Sequence, residues 1–115
     1  MKIESNVILR ELKNHLVKNY GNPVKDVILF GSQARGDSQK FSDYDVLIVL
    51  DNDYSGKDEN AILDLCYDID LKFDILLDVH IISVKELNSV RGRQPVFQKA
   101  IKSGIYAWLL KTQTE

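Results

Sequence analysis

A glycine-serine pair, Gly31-Ser32, is followed after ten residues by Asp43-Tyr44-Asp45, a spacing suited to phosphate chemistry. Glycine lets a phosphate approach the backbone with no side chain in the way, and Ser32 adds a hydroxyl and an amide. If Asp43–Leu50 is a strand, residues i and i+2 share a face about 6.6 Å apart, so Asp43 and Asp45 point together and Tyr44 points into the opposite layer. Two carboxylates on one face offer hard oxygen ligands, which select an ion such as Mg2+ and leave positions for water and phosphate oxygens. Asp78 is a third candidate, provided that its strand lies beside the one carrying Asp45 at about 4.8 Å. Asp74 competes with it for that role. Three converging acids could hold two metal ions about 3.5 to 4 Å apart, one activating a hydroxyl and the other neutralising a leaving pyrophosphate. The reaction class is then nucleotidyl transfer.

Two other Asp-x-Asp pairs act as internal controls, and both lack the context. Asp51-Asn52-Asp53 falls in a polar loop, and Asp68-Ile69-Asp70 falls on a helix, where the two acids are about 200° apart. Arg35 could meet a phosphate oxygen or pair with Asp37 in an exposed turn. His80 shares the strand face of Asp78; it could reach the edge of the site, although a sheet histidine with a local hydrogen bond is the simpler reading. His15 reads as surface, Cys66 as a small core residue, and Arg91-Gly92-Arg93 as a solvated loop whose arginines could add binding energy beside a phosphate.

Helices and strands must position these groups. Ile8, Leu9, Leu12, Leu16 and Tyr20 recur on one helical face after Ser5 or Asn6 as N-cap, with Gly21 to close it. Val24–Phe30 reads as a strand that runs into a short turn or helix beginning at Ser32. Ser55 or Asp58 starts a second helix, whose apolar face is Ile62, Leu65, Cys66, Ile69 and Phe73. Ile75–Ile82 is a third strand, followed by a helical turn near Val84–Leu87 and a helix over Pro95–Ser103. Ile105–Leu110 fits a strand or a helix equally. Val46–Leu50 is apolar on both faces and calls for cover on both sides. The fold class expected is α/β (α+β), a mixed sheet flanked by helices, as one domain over residues 1–115.

Composition sets limits on function. The chain is 44% hydrophobic and 28% charged with 2 Pro and 6 Gly, which is globular rather than disordered. A net charge of −2 and a pI near 5.7 argue against a nucleic-acid partner. One cysteine closes no intrachain disulfide, no run of about 18 apolar residues offers a membrane span, and no signal pattern opens the chain. A cytoplasmic location without membrane contact is the expectation.

The segment Leu29-Phe30-Gly31-Ser32-Gln33-Ala34-Arg35-Gly36-Asp37, followed by Ser42-Asp43-Tyr44-Asp45-Val46-Leu47, resembles the Gly-Ser, ten residues, Asp-x-Asp signature of the DNA polymerase beta-like nucleotidyltransferases, and more narrowly their minimal nucleotidyltransferase branch. The similarity runs from Val24 to about Tyr106 and includes Leu77-Asp78-Val79 and Ala100-Ile101-x-x-Gly104. The resemblance implies Mg2+ as cofactor and ATP as substrate. Asp43, Asp45 and Asp78 would be catalytic metal ligands, with Asp78 also helping to deprotonate the acceptor; Gly31 and Ser32 would hold the triphosphate. It further implies an antitoxin that transfers AMP onto a tyrosine of a HEPN-domain toxin. A chain this small has little room for its own acceptor pocket. The rival readings are a non-catalytic antitoxin that neutralises its partner by covering it, and transfer to a small molecule such as an aminoglycoside. Five large apolar residues, Ile105, Tyr106, Trp108, Leu109 and Leu110, either anchor a protein partner or close the core. Homo-oligomerisation stays open.

Overall fold

Two runs that are apolar at every position, Val27–Phe30 and Val46–Leu50, leave no strand face for water, and the fold covers both faces of each. The computed structural model describes residues 4–31 and 43–110. Its helices are α1 (Ser5–Asn19), α2 (Gly56–Phe73), α3 (Val84–Leu87) and α4 (Pro95–Ser103), and its strands are β1 (Val24–Phe30), β2 (Tyr44–Leu50), β3 (Leu77–Ser83) and β4 (Ile105–Tyr106). Short 3-10 turns cover Arg91–Arg93 and Ala107–Leu109. The sheet order is β3-β2-β1-β4, with β1 antiparallel to β2 and β4, and β2 parallel to β3. This is the expected mixed sheet flanked by helices.

Alternation along the strands sorts side chains into two cores. Val27, Leu29, Val46, Ile48, Leu50 and Ile81 pack under α1 and α2. Ile28, Phe30, Leu47, Val49 and Ile82 face the other way, against Phe97 and Ala100 of α4. Helix α1 buries Ile8, Leu9, Leu12 and Leu16, worth about 2 kcal/mol each in transfer free energy before chain entropy is counted. Helix α2 starts where the sequence places it: Ser55 forms a reciprocal cap with Asp58. Tyr44 points into the α1 and α2 layer, as its parity requires.

Several boundaries differ from expectation, and β2 starts at Tyr44 rather than Asp43. The N-cap of α1 is Glu4, whose carbonyl accepts from Val7 and Ile8, so the helix takes in Ser5 instead of using it as a cap. Strand β3 starts at Leu77 rather than Ile75. Asp74 ends α2 in the left-handed region (φ 54°), Ile75 N–H donates back to the Asp70 carbonyl, and the Asp70 carboxylate accepts from Leu77 N–H at 2.9 Å. The last segment splits: Ile105 and Tyr106 pair with Leu29 and Ile28, and then the chain turns, leaving Leu109 79% exposed. Among the described residues no helix is long and apolar enough to cross a membrane.

Candidate active site

Strand register assembles the site. Phe30, Asp45 and Asp78 lie in one row across β1, β2 and β3. All three have the parity of the α4 side, as does His80 two residues beyond Asp78. Ligand atoms of Asp45, Asp78 and His80 lie within 4.8 Å of one another. The His80 imidazole sits 5.9 Å from the Phe30 ring and 6.4 Å, edge-on, from Phe97, with Nε2 3.7 Å from Asp78 Oδ2. An open cavity of about 370 Å³ faces this group, lined by Gly31, Asp45, Asp78, His80, Val96 and Lys99.

Gly31 closes the row beside Asp45. Its φ of +79° is a left-handed conformation, and a Cβ built there would overlap Asp45 Oδ2 and stand 3.3 Å from Cγ. Glycine suits the left-handed backbone here, and a Cβ would have to displace the Asp45 carboxylate. Burial pushes the Asp45 carboxyl above its usual range, and the hydrogen bond and charge of Asp78 push it further, with a smaller push from the charge of Asp43; the His80 imidazole opposes them. Two close carboxylates that resist joint ionisation, with an imidazole alongside, suit a divalent cation. An ion with bonds of about 2.1 Å spans donors up to about 4.2 Å apart, so small side-chain rotations would bring the three together.

The sequence candidates fare unequally. Asp45 and Asp78 meet. Asp43 is exposed just before β2 and stands outside the triad, although its charge acts on Asp45. Ser32 and Arg35 lie outside the described residues. Asp74 is the left-handed cap of α2 and not a rival to Asp78. Asp68 accepts from His15 Nε2 at 2.8 Å across α1 and α2, and Asp70 caps β3, so that control pair is structural. His15 is thus a half-buried bridge between helices rather than a free surface group.

Two further residues stand at the site. His80, read most simply as a sheet histidine, belongs to the cluster; its signal was the alternation in Asp78-Val79-His80. Lys99 reaches the cavity from α4, and nothing in the linear sequence marked it, because its position depends on how α4 crosses the sheet. Arg91 lies in an exposed turn, as expected, but its guanidinium is engaged. Its guanidinium donates to Glu86 (2.8 Å), the Ile81 carbonyl (3.1 Å) and the Tyr54 hydroxyl (3.2 Å), and lies over the Phe97 ring. A larger cavity of about 570 Å³ surrounds this network at the far end of β3, away from Asp45 and Asp78. Its arginine is committed to protein partners, so the smaller cavity is the better candidate.

Comparison with known proteins points the same way. The family pattern described as a nucleotidyltransferase domain matches residues 9–106. Two proteins of Methanocaldococcus jannaschii, each bearing the name "putative protein adenylyltransferase", are similar in sequence. One is 38% identical over 79 residues, covering 69% of this chain and 73% of that protein. The other is 37% identical over 70 residues, covering 61% and 71%. A crystal structure of a toxin-antitoxin with AMP-PNP superposes with a TM-score of 0.59 at 17% identity, covering 86% of this chain and 72% of the other. At that identity the likeness speaks for the fold.

Proposed function

The chain belongs to the nucleotidyltransferase family, and from that premise we propose that it transfers AMP from ATP, with Mg2+ or a similar divalent ion, to a hydroxyl on a partner protein. The acceptor we favour is a tyrosine of a HEPN-domain toxin in the cytoplasm, with this chain as the antitoxin. The observation that carries the reading is the convergence of Asp45, Asp78 and His80 beside Gly31, where a Cβ would displace the Asp45 carboxylate.

In this reading Asp45 and Asp78 would hold the cation, with Asp43 available as a further carboxylate. When bound, the ion neutralises charge on the triphosphate and favours the ionised acceptor. Gly31 leaves backbone open to the phosphates; the family resemblance gives Ser32 to the triphosphate as well, and Arg35 is a further candidate for a phosphate oxygen. The acceptor oxygen attacks the α-phosphorus; a new P–O bond forms as the bond to the bridging α–β oxygen breaks, and pyrophosphate leaves. The acceptor proton passes to Asp78, whose side chain is 52% exposed and so open to an incoming group. Lys99 faces the charge that accumulates on the leaving group.

An open site suits an acceptor carried by another chain. The names of the two archaeal relatives support a protein acceptor, and the toxin-antitoxin neighbour supports a toxin as the partner. Trp108 and Leu109, both exposed, offer apolar anchors for it.

The test incubates the chain with α-labelled ATP and Mg2+, with and without a HEPN-domain toxin. Label should pass to the toxin, and Asp45→Asn or Asp78→Asn should lower transfer at least about a hundredfold while melting cooperatively. Full transfer by both variants would refute the assignment. Neutralisation of the toxin by an Asp45→Asn chain would favour a binder that needs no chemistry.

A further inference from the structure

We propose that His80 is a direct ligand of the metal centre, making it a mixed nitrogen-oxygen site that prefers a transition ion such as Mn2+ to Mg2+. The inference rests on the reading of Asp45 and Asp78 as ligands and goes beyond it in naming the third donor and the ion.

Three observations support it. His80 Nε2 stands 3.7 Å from Asp78 Oδ2, too far for a hydrogen bond but fitting two donors that share one ion. The imidazole packs beside the rings of Phe30 and Phe97, on the face that carries Asp45 and Asp78. The register then makes the arrangement a property of the sheet: Asp45 pairs with Asp78, and His80 follows Asp78 by one strand period on the same face.

Donor chemistry decides the ion. Mg2+ demands oxygen ligands in near-octahedral array and gives up water reluctantly, so an imidazole gains it little. First-row transition ions accept imidazole nitrogen readily, and their affinity for a mixed site rises from Mn2+ toward Cu2+.

The experiment uses the whole chain and Mn2+ as the probe. Mn2+ and Mg2+ are titrated by calorimetry, and bound Mn2+ is read by pulsed electron paramagnetic resonance for coupling to nitrogen. The chain has 2 His, so growth with 15N-histidine labels only His15 and His80, and His15 is engaged with Asp68 on the other side of the sheet. We expect Mn2+ to bind at least about tenfold more tightly than Mg2+. The nitrogen coupling should change isotope signature in the labelled wild type, persist in His15→Gln and vanish in His80→Ala, where the Mn2+ to Mg2+ ratio should fall to about three or less. Bound Mn2+ without nitrogen coupling, or an unchanged ratio in His80→Ala, overturns the proposal while leaving the acidic metal site standing. Mn2+ binding that is absent, or indifferent to both Asp45→Asn and Asp78→Asn, overturns both.

Discussion

Replacing Gly31 by alanine separates the two demands that this position meets. With φ at +79°, any Cβ costs about 1 to 2 kcal/mol in backbone strain. The same Cβ would also fall on Asp45 Oδ2, so the carboxylate must swing away from Asp78 and His80. Gly21 supplies the control: its φ is +100°, but a Cβ there meets only Pro23 Cδ at 4.0 Å, an ordinary contact. Gly21→Ala and Gly31→Ala should therefore each lower Tm by roughly 4 to 10 °C in metal-free protein, at about 4 to 5 °C per kcal/mol for a domain of this size. Only Gly31→Ala should damage the proposed metal site. At a Mn2+ concentration 100 times the wild-type Kd, binding stabilises the native state by about 2.7 kcal/mol. A tenfold weaker site at the same concentration gains only about 1.4 kcal/mol. Paired thermal melts with chelator and with Mn2+ read that difference as a metal-induced shift cut by about half in Gly31→Ala and intact in Gly21→Ala. Equal shifts in the two variants would show that Asp45 does not need the space beside Gly31, and the site geometry would be refuted.

Asp45 should make the metal-free chain sensitive to pH. Its carboxyl is held above the usual range by burial and then by Asp78, so its contribution to stability is complete below the unfolded value of about 3.9 and is lost as pH rises through the raised folded value. Melts of wild type and Asp45→Asn in chelator should diverge from pH 4 to pH 7, with the variant more stable at the upper end; a constant difference would refute the shift. Burial, with the charge of Asp70 adding to it, pushes the Cys66 thiol up to about 12. Its reaction with a thiol reagent at pH 8 should then be roughly a thousandfold or more slower in native protein than in denaturant, and comparable rates would contradict its place in the core. Arg91→Ala removes three hydrogen bonds from a half-exposed network and should cost about 1 to 2 kcal/mol in chemical denaturation without changing Mn2+ affinity. A loss of metal binding in that variant would tie the far end of β3 to the site.

Much of this protein was legible locally. The 3.6-residue recurrence of Ile8, Leu9, Leu12 and Leu16, the Ser55 cap, Pro95 at the first turn of α4, and the unbroken apolar runs of β1 and β2 specify their elements through interactions that reach only a few residues along the chain. Strand parity also put Asp45 on the face that the structure gives it, because a strand turns alternate side chains to one side. Parity does not say which strand lies beside which, and here tertiary structure decided. The parallel register of β2 and β3 brings Asp78 and His80 to Asp45, and the antiparallel register of β1 and β2 seats Gly31 against the same carboxylate. Asp43, equal to Asp45 by spacing, falls just before the strand and outside the cluster. Lys99 arrives from a helix more than fifty residues further along the chain than Asp45. Ile105 and Tyr106 become a strand only because β1 offers them an edge beside Leu29 and Ile28. Caps and periodicity act through neighbouring residues, whereas register is chosen by the combined burial and hydrogen bonding of whole strands against the entropy of closing the loops between them.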